Sequence, residues 1–286
     1  MDSVKESSRH TPSEHGLLSQ TFRIKQLKKL GVKLDNWNYV VALAGNPNTG
    51  KSTVFNSLTG LRQHTGNWPG KTVNRAEGGY SFNEKSYKLV DLPGTYSLLS
   101  TSEDEEIARN FILFGQPDVT LVVADATRLE RNLNLVLQIL EITSNVVLCL
   151  NLMDEARRKG IRIDTRKLEK RLGIPVIATT ARYGDGIQDV LEAVENIANG
   201  EWKPETNLKI TVPEELEDSL ASLEKDLSGL YPNLPNTRWI ALRLLEGDEQ
   251  IINALQNDEF DDLMKTFKQE PLNLRQELDE INRQGV

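Results

Sequence analysis

The sequence predicts an α/β fold, a mostly parallel sheet with helices on both faces, followed by a small all-helical subdomain. Three observations carry this. Between Tyr39 and about Asn199, short β-rich runs nearly free of charge alternate with helical periodicities, as expected for strands covered on both faces. The first of those runs leads into a glycine-rich loop and then a helical stretch. Past Gly200 no strand signal continues, and leucines recur at helical spacing.

The bulk numbers agree. A chain of 286 residues holds one large domain, or a medium one with a smaller companion, and 27% charged with 38% apolar residues is ordinary for a globular protein. Net charge is −8, from 34 basic and 42 acidic residues, which argues against an extended nucleic-acid surface. The single cysteine, Cys149, excludes a disulfide framework and a thiolate metal cluster, and its apolar neighbours mark it as a core residue. No stretch approaches the ~20 apolar residues of a membrane span, and Met1 to His15 lack the apolar core of a signal peptide. The expected location is cytoplasmic, with recruitment to the inner face of the membrane if the protein acts there.

Taken in order, residues 1–38 form a flexible tail whose Leu17 to Leu30 stretch has the pattern of a short basic amphipathic helix, a candidate for docking or membrane-surface contact. Residues 39–199 form the sheet domain. Strands are predicted at Tyr39–Ala44, Lys88–Asp91, Val119–Asp125, Val146–Asn151 and Ile174–Thr179. A hairpin partner at Gly78–Phe82 pairs with Lys85–Val90 through an Asn83-Glu84 turn. Helices are predicted at Lys51–Leu58, Glu103–Leu113, Asn132–Ser144, Asp164–Leu172 and Ile187–Ala198. Residues 200–286 open with a linker, Gly200–Lys209. Leu216, Leu220, Leu223, Leu227 and Leu230 then share a helix face that Tyr231-Pro232 ends, and helices follow at Trp239–Leu245, Gln250–Leu255 and Phe260–Phe267.

The chemistry lies in four motifs. Gly45-Asn46-Pro47-Asn48-Thr49-Gly50-Lys51-Ser52, with Thr53 behind it, satisfies G-x-x-x-x-G-K-[ST] between a strand and a helix. There, backbone N–H groups and a helix N-terminus cradle phosphates, Lys51 reaches the β/γ phosphates and the Ser52 hydroxyl binds Mg²⁺. Asp91-Leu92-Pro93-Gly94 is a D-x-x-G, in which Asp91 holds Mg²⁺ through water and the Gly94 amide meets the γ-phosphate. Asn151-Leu152-Met153-Asp154 is an N-x-x-D, whose Asp154 carboxylate accepts from guanine N1–H and its 2-amino group, donors that adenine lacks. Thr180-Ala181-Arg182 supplies a backbone amide for the guanine oxygen. Four motifs in this order, each at the carboxyl end of a strand, define a P-loop NTPase of the Ras-like GTPase type.

Gly60 to Val73 reads as a mobile loop without strand or helix period, the position of a first switch. Thr72 is the candidate Mg²⁺ ligand there, with Thr65 as competitor and a plain loop threonine as the alternative to both. Lys51, Thr72 and Gly94 are the candidate catalytic groups. Position 95, after D-x-x-G, is Thr rather than a water-orienting Gln, so slow intrinsic hydrolysis is expected. Met153 stands where many GTPases have Lys, and its thioether can lie along the base. His64 and Trp68 read as packed or solvated loop side chains.

The P-loop, Gly66-Asn67-Trp68-Pro69-Gly70-x-Thr72-Val73, Asp91 to Leu98, Asp125-Ala126-Thr127-x-Leu129-Glu130-Arg131-Asn132-Leu133 and Ala241 to Asp248 together resemble the cytosolic G domain and helical GDP-release-inhibiting subdomain of the bacterial ferrous-iron transporter FeoB. The resemblance covers roughly Tyr39 to Leu255. It implies GTP/GDP and Mg²⁺ as ligands, with phosphates on Gly45–Ser52, Mg²⁺ on Ser52 and Thr72, guanine on Asn151, Asp154 and Ala181, and K⁺ beside Asn48. It also implies a membrane-embedded iron permease as partner, on the same or a separate chain, with peripheral membrane association and oligomerisation. No His/Cys/Asp/Glu cluster offers an iron-ligand pattern in this segment. FeoB proteins continue into a multi-spanning domain and start close to the P-loop. The sequence is therefore expected to be a fragment or a stand-alone subunit, with residues 1–38 as its docking device. Two other functions share the motifs. A ribosome-assembly GTPase would need a basic RNA-binding module, where Glu214, Glu215, Glu217 and Asp218 stand instead. The other is a GTP-binding module with little hydrolysis.

Overall fold

The computed structural model describes residues 27–28, 30–32, 37–60, 63–99, 102–202, 212–231, 234 and 236–256. Most of the Leu17–Leu30 stretch, most of the Gly200–Lys209 linker and all of Phe260–Phe267 lie outside them.

Strand β1 (Tyr39–Gly45) is central, because its alternate residues Val41 and Leu43 on one face, Val40, Ala42 and Ala44 on the other, are all buried. It pairs in parallel with β4 (Lys85–Asp91) and with β5 (Val119–Asp125). From β5 the sheet continues in parallel through β6 (Val146–Asn151) to β7 (Val176–Ala178). On the other side β3 (Asn74–Phe82) joins β4 antiparallel, and β2 (Gln63–Asn67) joins β3, giving the order β2-β3-β4-β1-β5-β6-β7. The β3–β4 turn is at Asn83-Glu84, both in the left-handed region (φ 45° and 63°), where the backbone twist suits a two-residue hairpin.

Strand β2 corrects the expectation of an unstructured loop between Gly60 and Val73. Its residues His64 to Asn67 are exposed, so no hydrophobic alternation marks it; backbone pairing with β3 makes it a strand. Of the two readings of Trp68, packed or solvated, the packed one holds: it is buried against Phe111 at a 5.6 Å centroid distance.

Helices α1 (Lys51–Thr59) and α6 (Ile187–Ala198) supply Val54, Phe55, Val190 and Val194 to one face of the sheet. Helices α2 (Glu103–Gly115) and α3 (Leu129–Ile142) supply Phe111, Ile112, Val136 and Ile139 to the other. Helix α2 is well started: Ser102 Oγ accepts from the Glu105 amide, and four acidic residues occupy the first turn against the positive helix end. Short helices α4 (Met153–Arg158) and α5 (Thr165–Leu172) join β6 to β7. Burial pushes the Cys149 thiol up to about 12, as befits a core position on β6.

Past the sheet, α7 (Glu214–Leu230), α8 (Thr237–Leu245) and α9 (Glu249–Gln256) pack on the α2–α3 side through Trp239, Ile240 and Ile251. Asn236 ties the two parts. Its Oδ1 accepts from Trp239 N at the start of α8, while its Nδ2 donates to the Glu141 and Ile142 carbonyls (2.6 and 3.0 Å) that the end of α3 leaves unpaired. Buried Arg109 on α2 does the same elsewhere, pairing with Asp248 (3.2 Å) and Gln250 (2.9 Å) at the start of α9.

Part of the segment expected as a flexible tail is packed. Leu27 and Val32 are buried in the α2–α3 core cluster. The Trp37 ring lies against β3, where a Cβ on Gly79 would come within 2.0 Å of it.

Candidate functional site

The parallel strands β1, β4, β6 and β7 all end at one edge, and the four motif loops leave from there. That is the edge where open α/β sheets bind ligands. Every candidate residue of the four motifs lies there, and a network of hydrogen bonds gathers them.

Asn151 at the end of β6 is the centre of that network. It is 2% exposed, with Nδ2 donating to the Thr49 carbonyl of the glycine-rich loop (3.0 Å). Its Oδ1 accepts from the Ala181 amide (3.0 Å) and the Thr179 hydroxyl (3.3 Å). One buried amide thus joins three of the four motifs. Gly50 is required by this closeness, since a Cβ there would sit 2.4 Å from Asn151 Nδ2, and its φ of +82° favours glycine besides. The Met153 amide donates to the Thr179 carbonyl (3.2 Å), drawing the N-x-x-D loop toward the same point. Ser57 on α1 donates to the Ala181 carbonyl (3.2 Å).

At the phosphate side, Lys51 donates to the Asp91 carboxylate and to the Leu92 carbonyl (2.7 Å). Burial raises the Asp91 carboxyl above its ordinary value, and the Lys51 charge and hydrogen bond pull it back part of the way. The Thr95 amide donates to the Gly45 carbonyl (3.3 Å), holding the D-x-x-G turn beside the glycine-rich loop, and Gly94 faces Pro47. Thr95 itself is buried at 4% exposure. Asn46 is buried with its Nδ2 lacking a partner among the described residues, whereas Asn48 is exposed with φ 64°, and Ser52 and Thr53 are exposed at the helix start. Asp154 is half-buried with only an exposed Arg158 3.6 Å away, a weak pairing, and Arg182 is exposed against Tyr183.

The candidate first-switch residue, Thr72, is not gathered in. Thr72 is exposed on a bend after Trp68 and makes no side-chain hydrogen bond among the described residues. Its neighbour Lys71 instead reaches α2, at Glu106 (3.2 Å) and Glu103 (3.7 Å). Thr65 lies on exposed β2. Residues that the motifs pass over also build this region. Arg75 on β3 and Phe111 on α2 hold Trp68, and no local pattern marks either; the pairing of β2 with β3 brings Arg75 beside Trp68, and the packing of α2 on the sheet brings Phe111.

This set fits a bound nucleotide. A loop that tolerates no Cβ at Gly50, a buried orphan amide at Asn46, a lysine at the helix start and a half-buried acceptor at Asp154 are the parts a phosphate chain and a guanine base require.

The fold and the gathered motifs define a P-loop G domain, a guanine-nucleotide-binding module with a helical domain behind it. Family comparison names it further: residues 39–194 match the family "Ferrous iron transport protein B" and residues 213–284 match "FeoB cytosolic helical domain". The chain belongs to the FeoB family. It is 43% identical over 213 residues to the Fe(2+) transporter FeoB of Shigella flexneri, covering 73% of this chain and 27% of that one. With the FeoB of Salmonella typhimurium strain LT2 the identity is 39% over 214 residues, with the same coverage. The chain spans about a quarter of the length of the curated relatives it matches. Among solved structures it is similar to the cytosolic domain of T. maritima FeoB in a GMPPNP form, at TM-score 0.70 and 38% identity, covering 79% of this chain and 86% of that one. A GDP form of that domain gives TM-score 0.70 and 37% identity with the same coverage. The cytosolic domain of L. pneumophila FeoB gives TM-score 0.66 and 35% identity, covering 79% and 96%. Among the described residues no helix is long and apolar enough to cross a membrane.

Proposed function

We propose that the chain binds GTP and GDP with Mg²⁺, hydrolyses GTP slowly, and reports its nucleotide state to a membrane-embedded ferrous-iron permease, on the same or a separate chain, at the inner face of the membrane. The observation that carries this is Asn151, a buried amide that locks the phosphate loop to the N-x-x-D and Thr180-Ala181-Arg182 loops.

In this reading the Gly45–Ser52 backbone and Lys51 hold the β and γ phosphates. Lys51 would exchange Asp91 for phosphate, leaving the Asp91 carboxylate free to accept from a metal's water ligands. The Ser52 hydroxyl, and that of Thr72 once its loop moves inward, would hold Mg²⁺, which when bound would neutralise phosphate charge. Asn48, exposed within the loop, would help hold a K⁺ that offsets charge developing in hydrolysis. Asp154 accepts from guanine and Met153 packs along the base. The Gly94 amide meets the γ-phosphate. The buried Thr95 side chain lends no carboxamide to a water, which supports slow intrinsic turnover and keeps alive a reading in which the domain binds GTP and scarcely hydrolyses it.

Two measurements on the full chain test this. Asp154→Asn is expected to weaken GTP by roughly tenfold or more while improving xanthosine triphosphate, since the carboxamide can donate where xanthine now accepts. Equal binding of GTP and ATP by the unaltered protein would overturn the guanine assignment. Single-turnover hydrolysis should be slow and faster with K⁺ than with Na⁺; no phosphate release in either salt would leave the binding module.

A further inference from the structure

We propose that Leu27, Leu30, Gly31 and Val32 form a latch that holds the Thr72 loop in its solvent-facing conformation, so that latch docking and engagement of Thr72 at the phosphate site oppose each other. This rests on the assignment of Thr72 as a ligand to the nucleotide's metal.

The latch is a helix end. Leu27 and Lys28 are helical, the Gly31 amide donates to the Lys28 carbonyl (2.8 Å) and the Val32 amide to the Leu27 carbonyl (2.8 Å). This pair of bonds, with Gly31 at φ +81°, is a Schellman ending, and it brings the apolar Leu27 and Val32 side by side. Both are almost wholly buried in the cluster that contains Trp68 and Phe111. Leu27 and Leu30 lie over Gly115 at the end of α2, where a Cβ would be 3.3 and 3.1 Å from them.

Arg75 turns this packing into a grip on the switch. Its Nη1 donates to the Leu30 carbonyl and its Nη2 to the Gly31 carbonyl, both at 2.8 Å. Those are acceptors a helix end leaves unpaired, and a cation is favoured at that end. The same guanidinium lies over the Trp68 ring (5.3 Å) and pairs with buried Glu77 (2.8 Å). Gly31 is also pressed against Pro69, whose Cγ would be 2.8 Å from an added Cβ. The latch therefore touches both stems of the turn that carries Thr72: Pro69 before it and Arg75 after it. That turn is closed by the Trp68 amide on the Val73 carbonyl (3.0 Å).

The buried Trp68 indole N–H has no acceptor among the described residues, a local cost that the surrounding contacts must offset. Drawing Thr72 toward a metal shifts residues 68–73 and loosens Pro69 and Arg75 from the latch. By reciprocity, breaking the latch strengthens whichever ligand needs Thr72. GTP with Mg²⁺ needs it and GDP does not.

The test uses the full chain with Gly31→Val or Leu27→Asp, neither of which touches the candidate site. Dissociation constants for GDP and for a non-hydrolysable GTP analogue, both with Mg²⁺, are measured by calorimetry. Each variant is expected to bind the analogue about 5- to 20-fold more tightly, within the usual range of coupling between sites, with GDP affinity nearly unchanged. In the unaltered protein, amide exchange at residues 27–32 should be slow with GDP and faster with the analogue. An unchanged analogue-to-GDP ratio in both variants, or equal exchange in both states, overturns the latch alone. Failure of the unaltered protein to bind either nucleotide overturns the nucleotide assignment, and the latch with it.

Discussion

At the β6–β7 end of the site, Asn151 holds three loops through bonds to backbone groups, at 2% exposure. At the β2–β3 end, Thr72 rides on an exposed bend whose neighbours are fixed by side chains: Lys71 on α2, Trp68 between Arg75 and Phe111. Buried backbone-directed bonds have no water to exchange with, so breaking one costs the full desolvation of its partners. The half-exposed Lys71 ion pairs release into solvent at little cost, whereas the buried Trp68 ring anchors the base of the bend. The β6–β7 end is therefore held from within, and at the β2–β3 end only the bend that carries Thr72 is lightly held.

The largest effect is expected from destroying the rigid end. Asn151→Ala removes the link between loops and leaves the Thr49 carbonyl and Ala181 amide unpaired. It should lower guanine-nucleotide affinity by roughly 100-fold and stability by about 2–4 kcal/mol. Retained affinity in a nucleotide titration would show that the loops are held by something else.

A middle effect comes from Asp91, which stands between the two ends. Its carboxyl is raised by burial, so the folded protein holds that proton more tightly than an unfolded chain does. The stability this lends is full below the unfolded value of 3.8 and is lost as pH rises through the raised folded one. For metal binding the sign is the reverse: protons compete with Mg²⁺ from a higher pH than at an ordinary aspartate. The Mg²⁺-dependent part of nucleotide affinity should fade on acidification by up to about tenfold per pH unit, while affinity in a chelator should not show that step. Identical pH profiles with and without Mg²⁺ would remove Asp91 from the metal's surroundings.

The smallest effect is expected at the changeable end. Lys71→Ala loses two half-exposed pairs and should lower the thermal midpoint by no more than ~2–4 °C, corresponding to at most about 1 kcal/mol. A larger drop in a melting experiment would mean that this end is as rigid as the other.

Much of this molecule is legible in the chain because its signals are local. The runs Val119–Asp125 and Val146–Asn151 are buried along their whole length, so nothing polar interrupts them, and both strands have the predicted bounds. Ile187–Ala198 shows its helical stripe clearly, and Asn83-Glu84 is a turn that two residues encode. Strand β2 is not legible. Its residues His64 to Asn67 face water, and only the register Gln63–Gly78 to Asn67–Asn74 makes it a strand. The short helix Met153–Arg158 is hidden by its N-x-x-D context and by a start at Leu152 in the left-handed region (φ 62°).

By itself, then, the chain determined a P-loop α/β sheet with a helical annex and which motif loops share one edge. Strand propensity, glycine placement and helix period act over a few residues and survive without the rest of the fold. Tertiary structure alone decided that Asn151 joins three loops, that Trp68 is packed rather than solvated, and that Leu30 and Gly31 dock on Arg75 and Pro69. Those contacts join residues tens of positions apart, and their energy comes from desolvation that exists only once the sheet has formed.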